Sequence, residues 1–392
     1  MPLKKIKEKF KSWLEMEDDR VIDVVLGTVV ANRFHGDSVN IHIVGPPSSS
    51  KTELLRATFD LPDVYSLSTL TAHTFTSGLT NRGEKLKDYS LLTKLSKAHK
   101  ILLVIKDFTT ILEKRNEDRA EIFSQIREIA DGHFTHDYGS GKEATVWKGR
   151  LGILTGVTTV IDKQYSLRQI LGERFLHYRL PWVDPYEMAK RAGKNTGKEE
   201  RMRRELSSVV TDFMKGFSSP KLFDVKSGGV TEDMLINLAM VVAEARTGTS
   251  RDRYTQGLAY IPEPEAPPRL MKYFSKLGRA IALIQGKSRM DMEVYKILAK
   301  VARDTLPSYR NSILKTLWHQ YPNWNTLPSL SGITTHSLAT LRLNLEDLVA
   351  LKLVTAKVSE ESGVGRPENQ YRLSDKLHEY LRMCQIYEPS YS

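Results

Sequence analysis

A β-branched run, VNIHIVG at residues 39–45, leads directly into GPPSSSKT, Gly45 to Thr52. A strand that stops, a tight loop of small residues and a following helix are what phosphate binding asks for. The backbone N–H groups of such a loop and of the helix N-terminus surround the anion. In that chemistry Lys51 reaches the β- and γ-phosphates and the Thr52 hydroxyl ligates Mg2+. The candidate ATP-binding segment is therefore Gly45, Pro46, Pro47, Ser48, Ser49, Ser50, Lys51 and Thr52. The Gly45-to-Lys51 spacing matches G-x-x-x-x-G-K-[ST], except that Ser50 stands where the second glycine belongs. A serine carries a Cβ, so a left-handed backbone at Ser50 would be strained. The alternative is an ordinary Pro/Ser turn. The preceding strand, the Lys-Thr offset and the helical continuation from Glu53 to Ala57 favour the phosphate loop.

A second strand candidate, ILLVI at 101–105, continues as KDFTTIL. P-loop ATPases carry an acidic pair at such a strand end, one residue for Mg2+ and one to polarise the attacking water. Here only Asp107 is acidic, and Lys106 precedes it. Asp107 serves one of those roles or caps the next turn. A lysine in the metal aspartate's place is expected to weaken Mg2+ binding or turnover. His133, His136 and His177 lack convincing carboxylate partners, as does HTFTSG at 73–78, so no zinc site is expected.

These groups need a scaffold, and the chain is long enough to supply one. Its 392 residues suggest two or three domains. Hydrophobic residues make up 40% and charged residues 27%, which argues against wholesale disorder. The longest clean apolar run, Ile101 to Ile105, is far below the ~18 residues of a membrane span, so no membrane insertion is expected. The single cysteine, Cys384, excludes an internal disulfide framework. It fits a reducing, cytoplasmic setting, and the first residues carry no apolar segment of a secretory signal. With 58 Lys+Arg against 47 Asp+Glu the net charge is +11, which favours a polyanionic partner.

Ile6, Phe10, Trp13 and Leu14 repeat at helical spacing, and Val21 to Ala31 is a second apolar helix. Strand candidates at 39–45, 101–105 and 150–158 alternate with helical stretches such as Arg119 to Ile129. That alternation predicts an α/β fold with a parallel sheet. Lys190 to Arg204 reads as an exposed helix or solvated loop, and 231–303 as helical around a Pro-rich connector at 260–269. Residues 308–382 read as an α+β winged helix: three helices, then two strands around SGVGRPENQ. Thr334 or Thr335 is expected to cap the third helix. A helix-turn-helix sets the N-terminal part of its second helix in the major groove. Thr335, His336, Ser337, Thr340 and Arg342 are then the DNA-contact candidates, with Arg366 at the wing tip. Winged helices also serve as protein-contact modules. Leu341, Leu345 and Leu348 are core by spacing.

Together these motifs resemble AAA+ P-loop ATPases, and more narrowly the minichromosome-maintenance-like replicative helicases of mobile elements and phages. The resemblance covers roughly residues 20–380 and rests mainly on the order and spacing of segments. It implies N-terminal helices at 1–38, an AAA+ nucleotide-binding core at 39–185, a helical lid at 186–304 and the winged helix at 305–392. RAEIFSQIREIADGHFTHDYGSGKEATVWKGRLGILTGVTTVID holds a helix, a hairpin and a strand ending in a polar sensor. Thr158 takes that sensor role, with Thr155 as second choice. LGERF places Arg174 as an arginine finger acting on a neighbouring subunit, and EAPPRLMKYFSKLGRAIALI places Arg269 as a second sensor. Salt-bridged surface arginines are the plain alternative for both. The finger requires a homo-oligomer, and the resemblance implies a hexameric ring. Within GSGKEATVWKGR, Lys142 and Lys148 would grip DNA phosphates in the ring channel and Trp147 would stack on a base, unless Trp147 packs on the core.

The implied activity is an ATP-driven DNA helicase or translocase in DNA replication, using ATP and Mg2+ and working with other replication proteins. The alternatives are an ATP-dependent initiator or helicase loader, and a weakly hydrolysing or non-hydrolysing ATP-switch scaffold bound to DNA.

Overall fold

The computed structural model describes residues 2–75, 91–138, 142–162, 174–218, 224–252, 254–255, 257–261, 263–358 and 368–387. The chain divides into two compact units. The first comprises residues 1–228 and 275–297, the second 229–274 and 298–392. Residues 186–228 fall with the first unit.

Among the described residues, the strands of the first unit are β1 Asn40–Val44, β2 Val64–Leu67, β3 Leu102–Ile105, β4 His133–Tyr138, β5 Lys142–Lys148, β6 Gly152–Val157 and β7 Phe175–Arg179. Five form one all-parallel sheet in the order β2-β3-β6-β1-β7, so the fold is α/β. β1 lies between β6 and β7, with Val44 opposite both Val157 and Arg179. β1, β3 and β6 are buried along their whole lengths. That is the pattern expected of strands covered on both faces, and it is why LLVI reads as a continuous apolar run and NIHIV and GILTGV as mainly apolar ones. β2 and β7 lie at the sheet edges: VYSL is half exposed, and FLHYR is buried through Tyr178 and ends in Arg179. On one face, Ile122, Phe123, Ile126 and Ile129 of the helix Asn116–Ala130 join Leu103, Phe108, Ile153 and Phe175 in a single apolar cluster.

The 1–35 region forms the helices Leu3–Trp13 and Arg20–Arg33. The stretch Lys190 to Arg204 lies in the helices Pro185–Asn195 and Glu199–Met214. No helix among the described residues is long and apolar enough to cross a membrane.

In the second unit, β8 Ser250–Arg251 pairs antiparallel with β9 Leu258–Tyr260. The helices Ser308–Gln320, Leu327–Thr334 and Leu338–Ala350 accompany a three-stranded antiparallel sheet of β10 Asn325–Thr326, β12 Asn369–Leu373 and β11 Val354–Val358, in that order. Leu341, Leu345 and Leu348 are fully buried in its core. Arg310 is only 1% exposed; it donates to the carbonyls of Ala245 and Thr247 and pairs with Asp347. The cap of the helix Leu338–Ala350 differs from expectation. Ser337 is the N-cap, its Oγ accepting from the Thr340 N–H at 3.2 Å. Thr335 instead ends the preceding helix in a left-handed conformation, φ 59°, so it is unavailable as the cap.

Candidate functional site

Gly45 follows β1 and donates its N–H to the Val157 carbonyl at 3.1 Å. This fixes the root of the loop at the carboxyl edge of the sheet. Ligands of open α/β sheets bind at this edge, where the strand order reverses. The helix Lys51–Arg56 then leaves the loop, with Ser50 at its N-cap in a left-handed conformation, φ 62°. Position 50 thus takes the backbone shape that favours glycine, and Ser50 carries the strain its Cβ brings.

Lys51 is 9% exposed and curls over its own loop. Its Nζ donates to the Gly45 and Pro46 carbonyls at 2.8 and 2.5 Å and to Ser49 Oγ at 3.1 Å. Burial pushes its pKa down, and the negative charge of Asp107 opposes that shift. The ammonium is therefore held over the loop by neutral acceptors. A phosphate oxygen would replace them with a stronger charge-assisted bond.

Asp107 and Thr158 follow adjacent strands at the same edge. Asp107 is exposed, and its Oδ1 accepts from the Thr109 N–H at 2.9 Å. The Thr158 N–H donates to Thr109 Oγ1 at 3.0 Å, and the two hydroxyls lie 3.2 Å apart. Thr109 thus ties Thr158 to the segment carrying Asp107. Lys106 is half-buried, and its N–H donates to the Leu67 carbonyl at 3.0 Å. Thr155, the second-choice sensor, is fully buried, with its Oγ1 2.5 Å from His42 Nδ1, so it faces the core. Thr52 and Asp107 are the oxygen-bearing groups that would hold Mg2+. Among the described residues no cluster of three or more His, Cys, Asp or Glu could cage a metal alone. Mg2+ held partly by phosphates and water needs none.

Gly156 fixes how closely the loop helix approaches the sheet. A Cβ there would lie 2.7 Å from the Lys106 carbonyl, 3.3 Å from Leu55 and 3.7 Å from Lys51 Cβ. The sequence reading passed over Gly156, because its requirement arises from packing between β3, β6 and the helix.

A cleft of about 530 Å3 opens beside the loop, a volume in the range of small-molecule sites. Residues 15–18, 46–50 and 180–183 line it, with Met188, Ala189 and Ala192 of the helix Pro185–Asn195. None of that helix is fully buried. Arg191 pairs with Glu15 at 3.1 Å, and Asn195 Nδ2 donates to the Trp13 carbonyl at 2.8 Å. Asp18 accepts from Tyr178 Oη at 2.7 Å and from Arg20 at 2.7 and 2.8 Å. Burial alone would raise the Asp18 carboxyl pKa; the bonds from Arg20 and Tyr178 outweigh it and hold the pKa below the usual range. Of the cleft lining only the loop residues 46–50 were predicted; those from 15–18 and 180–192 were not. The one local signal was Asp184 before Pro185, a capped helix start, and Asp184 does accept from the Tyr186 N–H at 2.9 Å.

The structure gathers Gly45 to Thr52, Asp107 and Thr158 at one edge of the first unit's sheet. Arg174 is 8% exposed and donates to Asp131 of its own chain at 3.0 and 2.7 Å. Arg269 belongs to the second unit, where it lies 3.9 Å from Glu265.

Trp147 is 7% exposed in the core cluster and donates to Ser96 Oγ at 2.7 Å. Its ring is packed, which corrects the expectation of base stacking. Lys148 is exposed at the end of β5, and Lys142 opens that strand. In the second unit, Thr335, Ser337 and Arg342 are exposed. So are the apolar Ile333, Leu338 and Leu343 on the same two helices, at 50%, 48% and 36%. Arg366 lies outside the described residues. No family model matches the sequence, and no curated protein matches it either.

Proposed function

We propose that this chain is a nucleoside triphosphatase of AAA+ type that acts on DNA as a ring-forming motor in replication. The carrying observation is the Lys51 ammonium, curled over a strand–loop–helix beside Asp107 and Thr158. The adjoining cleft has room for the nucleoside. In this reading Lys51 and the loop N–H groups hold the phosphates, and Thr52 and Asp107 hold Mg2+. Thr158 would donate to the transferred group. Bound Mg2+ would neutralise charge on the phosphates. Arg174 is the residue proposed to act across a subunit boundary, which requires it to leave Asp131. The helix–strand–helix–helix–strand–strand order of 308–373 supports a winged helix.

A second reading, an ATP switch with little turnover, is favoured by one observation. Asp107, the carboxylate that follows β3, caps a turn through Thr109, and a lysine precedes it. Measuring ATP hydrolysis with and without single-stranded DNA separates the two. DNA-stimulated turnover supports the motor. ATP binding with no turnover under either condition supports the switch.

A further inference from the structure

The outer face of the three-stranded sheet carries a ladder of rings and cations that the proposed function does not use. Thr355 opposes Arg372 and Lys357 opposes Gln370 across β11 and β12, so these four side chains share one face. Tyr371 and Leu373 alternate with them and are buried on the other side. Trp324, half-buried, borders this face just before β10. The Lys357 ammonium lies 4.6 Å from its ring centre and the Arg372 guanidinium 5.0 Å. Arg372 also lies 5.5 Å from the Tyr321 ring centre.

A flat face with a ring, two cations, an amide and a hydroxyl suits a strand whose bases are unpaired. Bases stack on rings, cations take phosphates, and amides and hydroxyls meet base edges. In a duplex the base faces are covered by their neighbours and cannot reach Trp324. An exposed cation on a ring is a weak contact. Lys357 and Arg372 have long, flexible stems, so they can exchange the ring for phosphates while a base takes their place. Asp375 accepts from Arg372 at 3.1 Å, but its carboxylate is exposed while the Arg372 side chain is 24% exposed, so a phosphate can take the place of the carboxylate. The helix Leu338–Ala350, by contrast, exposes Leu338 and Leu343 beside its single arginine, Arg342.

We propose that the outer face of the β10–β12–β11 sheet binds an unpaired nucleic-acid strand, with Trp324 as the stacking platform and Lys357 and Arg372 as the phosphate contacts. The inference rests on the nucleic-acid half of the proposed function.

The test is fluorescence anisotropy of the full chain with labelled (dT)20 and (U)20 across a salt series, alongside wild-type ATP hydrolysis on the same preparation. Wild type binds at least one of the two strands. Trp324→Ala lowers that affinity about tenfold, and Trp324→Phe keeps most of it. Lys357→Ala and Arg372→Ala each reduce the salt slope by about 0.7. Circular dichroism checks the folds. If Trp324→Ala does not fold, the exposed Lys357→Glu carries the test, with a loss of tenfold or more expected. Unchanged affinity in the folded variants overturns the inference, as does binding of neither strand by wild type. ATP hydrolysis without strand binding sinks this surface and leaves the nucleotide reading standing. Strand binding through Trp324 without hydrolysis does the reverse.

Discussion

Arg174 and Asp131 are joined within one chain by two hydrogen bonds, Nε to Oδ1 at 3.0 Å and Nη2 to Oδ2 at 2.7 Å. Asp131 ends the helix Asn116–Ala130, and Arg174 immediately precedes β7, so the pair ties a helix end to the strand beside β1. Any action of Arg174 on another subunit must break this pair. The Asp131 side chain is half exposed but that of Arg174 is only 10% exposed, so the guanidinium needs a new anionic partner when it leaves.

The trans-acting role predicts that Arg174→Ala binds ATP and does not hydrolyse it. Mixing it with Lys51→Ala subunits restores part of the activity, because a mixed boundary pairs an intact loop with an intact arginine. Asp131→Asn, which loosens the guanidinium, raises turnover. Steady-state assays at several mixing ratios, with mixed assembly verified, check this. If both single variants lose activity only in proportion to lost thermal stability, Arg174 is an anchor.

Gly156→Ala places a methyl group 2.7 Å from a backbone carbonyl that cannot swing away. The chain at Lys106 must shift, at a cost of about 1–3 kcal/mol of stability. Nucleotide affinity falls about tenfold with it, since Asp107 moves with its neighbour Lys106. Urea unfolding and titration with a fluorescent ATP analogue read both effects. Wild-type affinity in this variant would detach the Asp107 segment from the proposed site.

Ser50→Gly acts in the opposite direction. The backbone at position 50 is already left-handed at φ 62°, so removing the Cβ relieves strain. The gain is at most about 1 kcal/mol, because glycine also frees the unfolded chain. A fall in urea midpoint would show that the serine side chain has a stabilising contact of its own.

Much of the first unit was legible because its central strands are buried on both faces. NIHIV, LLVI and GILTGV are short runs rich in apolar and β-branched residues, and the loop after NIHIV carries its own spacing. β2 and β7 were missed because edge strands need less apolar sequence: β7 ends in Arg179, which pairs with Asp162 at 2.7 Å. Within the site, Lys51, Asp107 and Thr158 lie just beyond strands that could be read. The cleft could not be read, since Met16, Pro47, Leu180 and Met188 meet there from four separate segments. Trp147 and Arg174 were ambiguous for a common reason. The same side chain serves a core or a ligand, and only packing decides.

Lys276 carries a pH signature. Burial, and then the nearby Arg150 guanidinium, push its pKa down to about 8, with Asp37 opposing. Its Nζ donates to the Asp37 carbonyl at 2.7 Å. Between about pH 8 and the ordinary lysine value of 10.5 the unfolded chain holds the proton that the folded chain has released. Unfolding free energy from this group therefore rises with pH across that window, and below about pH 8 the burial cost persists in full. Lys276→Met is expected to flatten the rise. Urea midpoints at pH 7, 8, 9 and 10 for both proteins check it; parallel curves would remove Lys276 as the source.

The central claim is that Lys51 and its loop hold the phosphates of a nucleoside triphosphate. Isothermal titration of ATP with Mg2+ into wild type and Lys51→Ala, each verified as folded by circular dichroism, tests it directly. Wild type is expected to bind one ATP per chain. Lys51→Ala is expected to bind at least about tenfold more weakly, having lost a charge-assisted phosphate contact. Equal affinity in the two proteins, or no binding by wild type, would contradict the account.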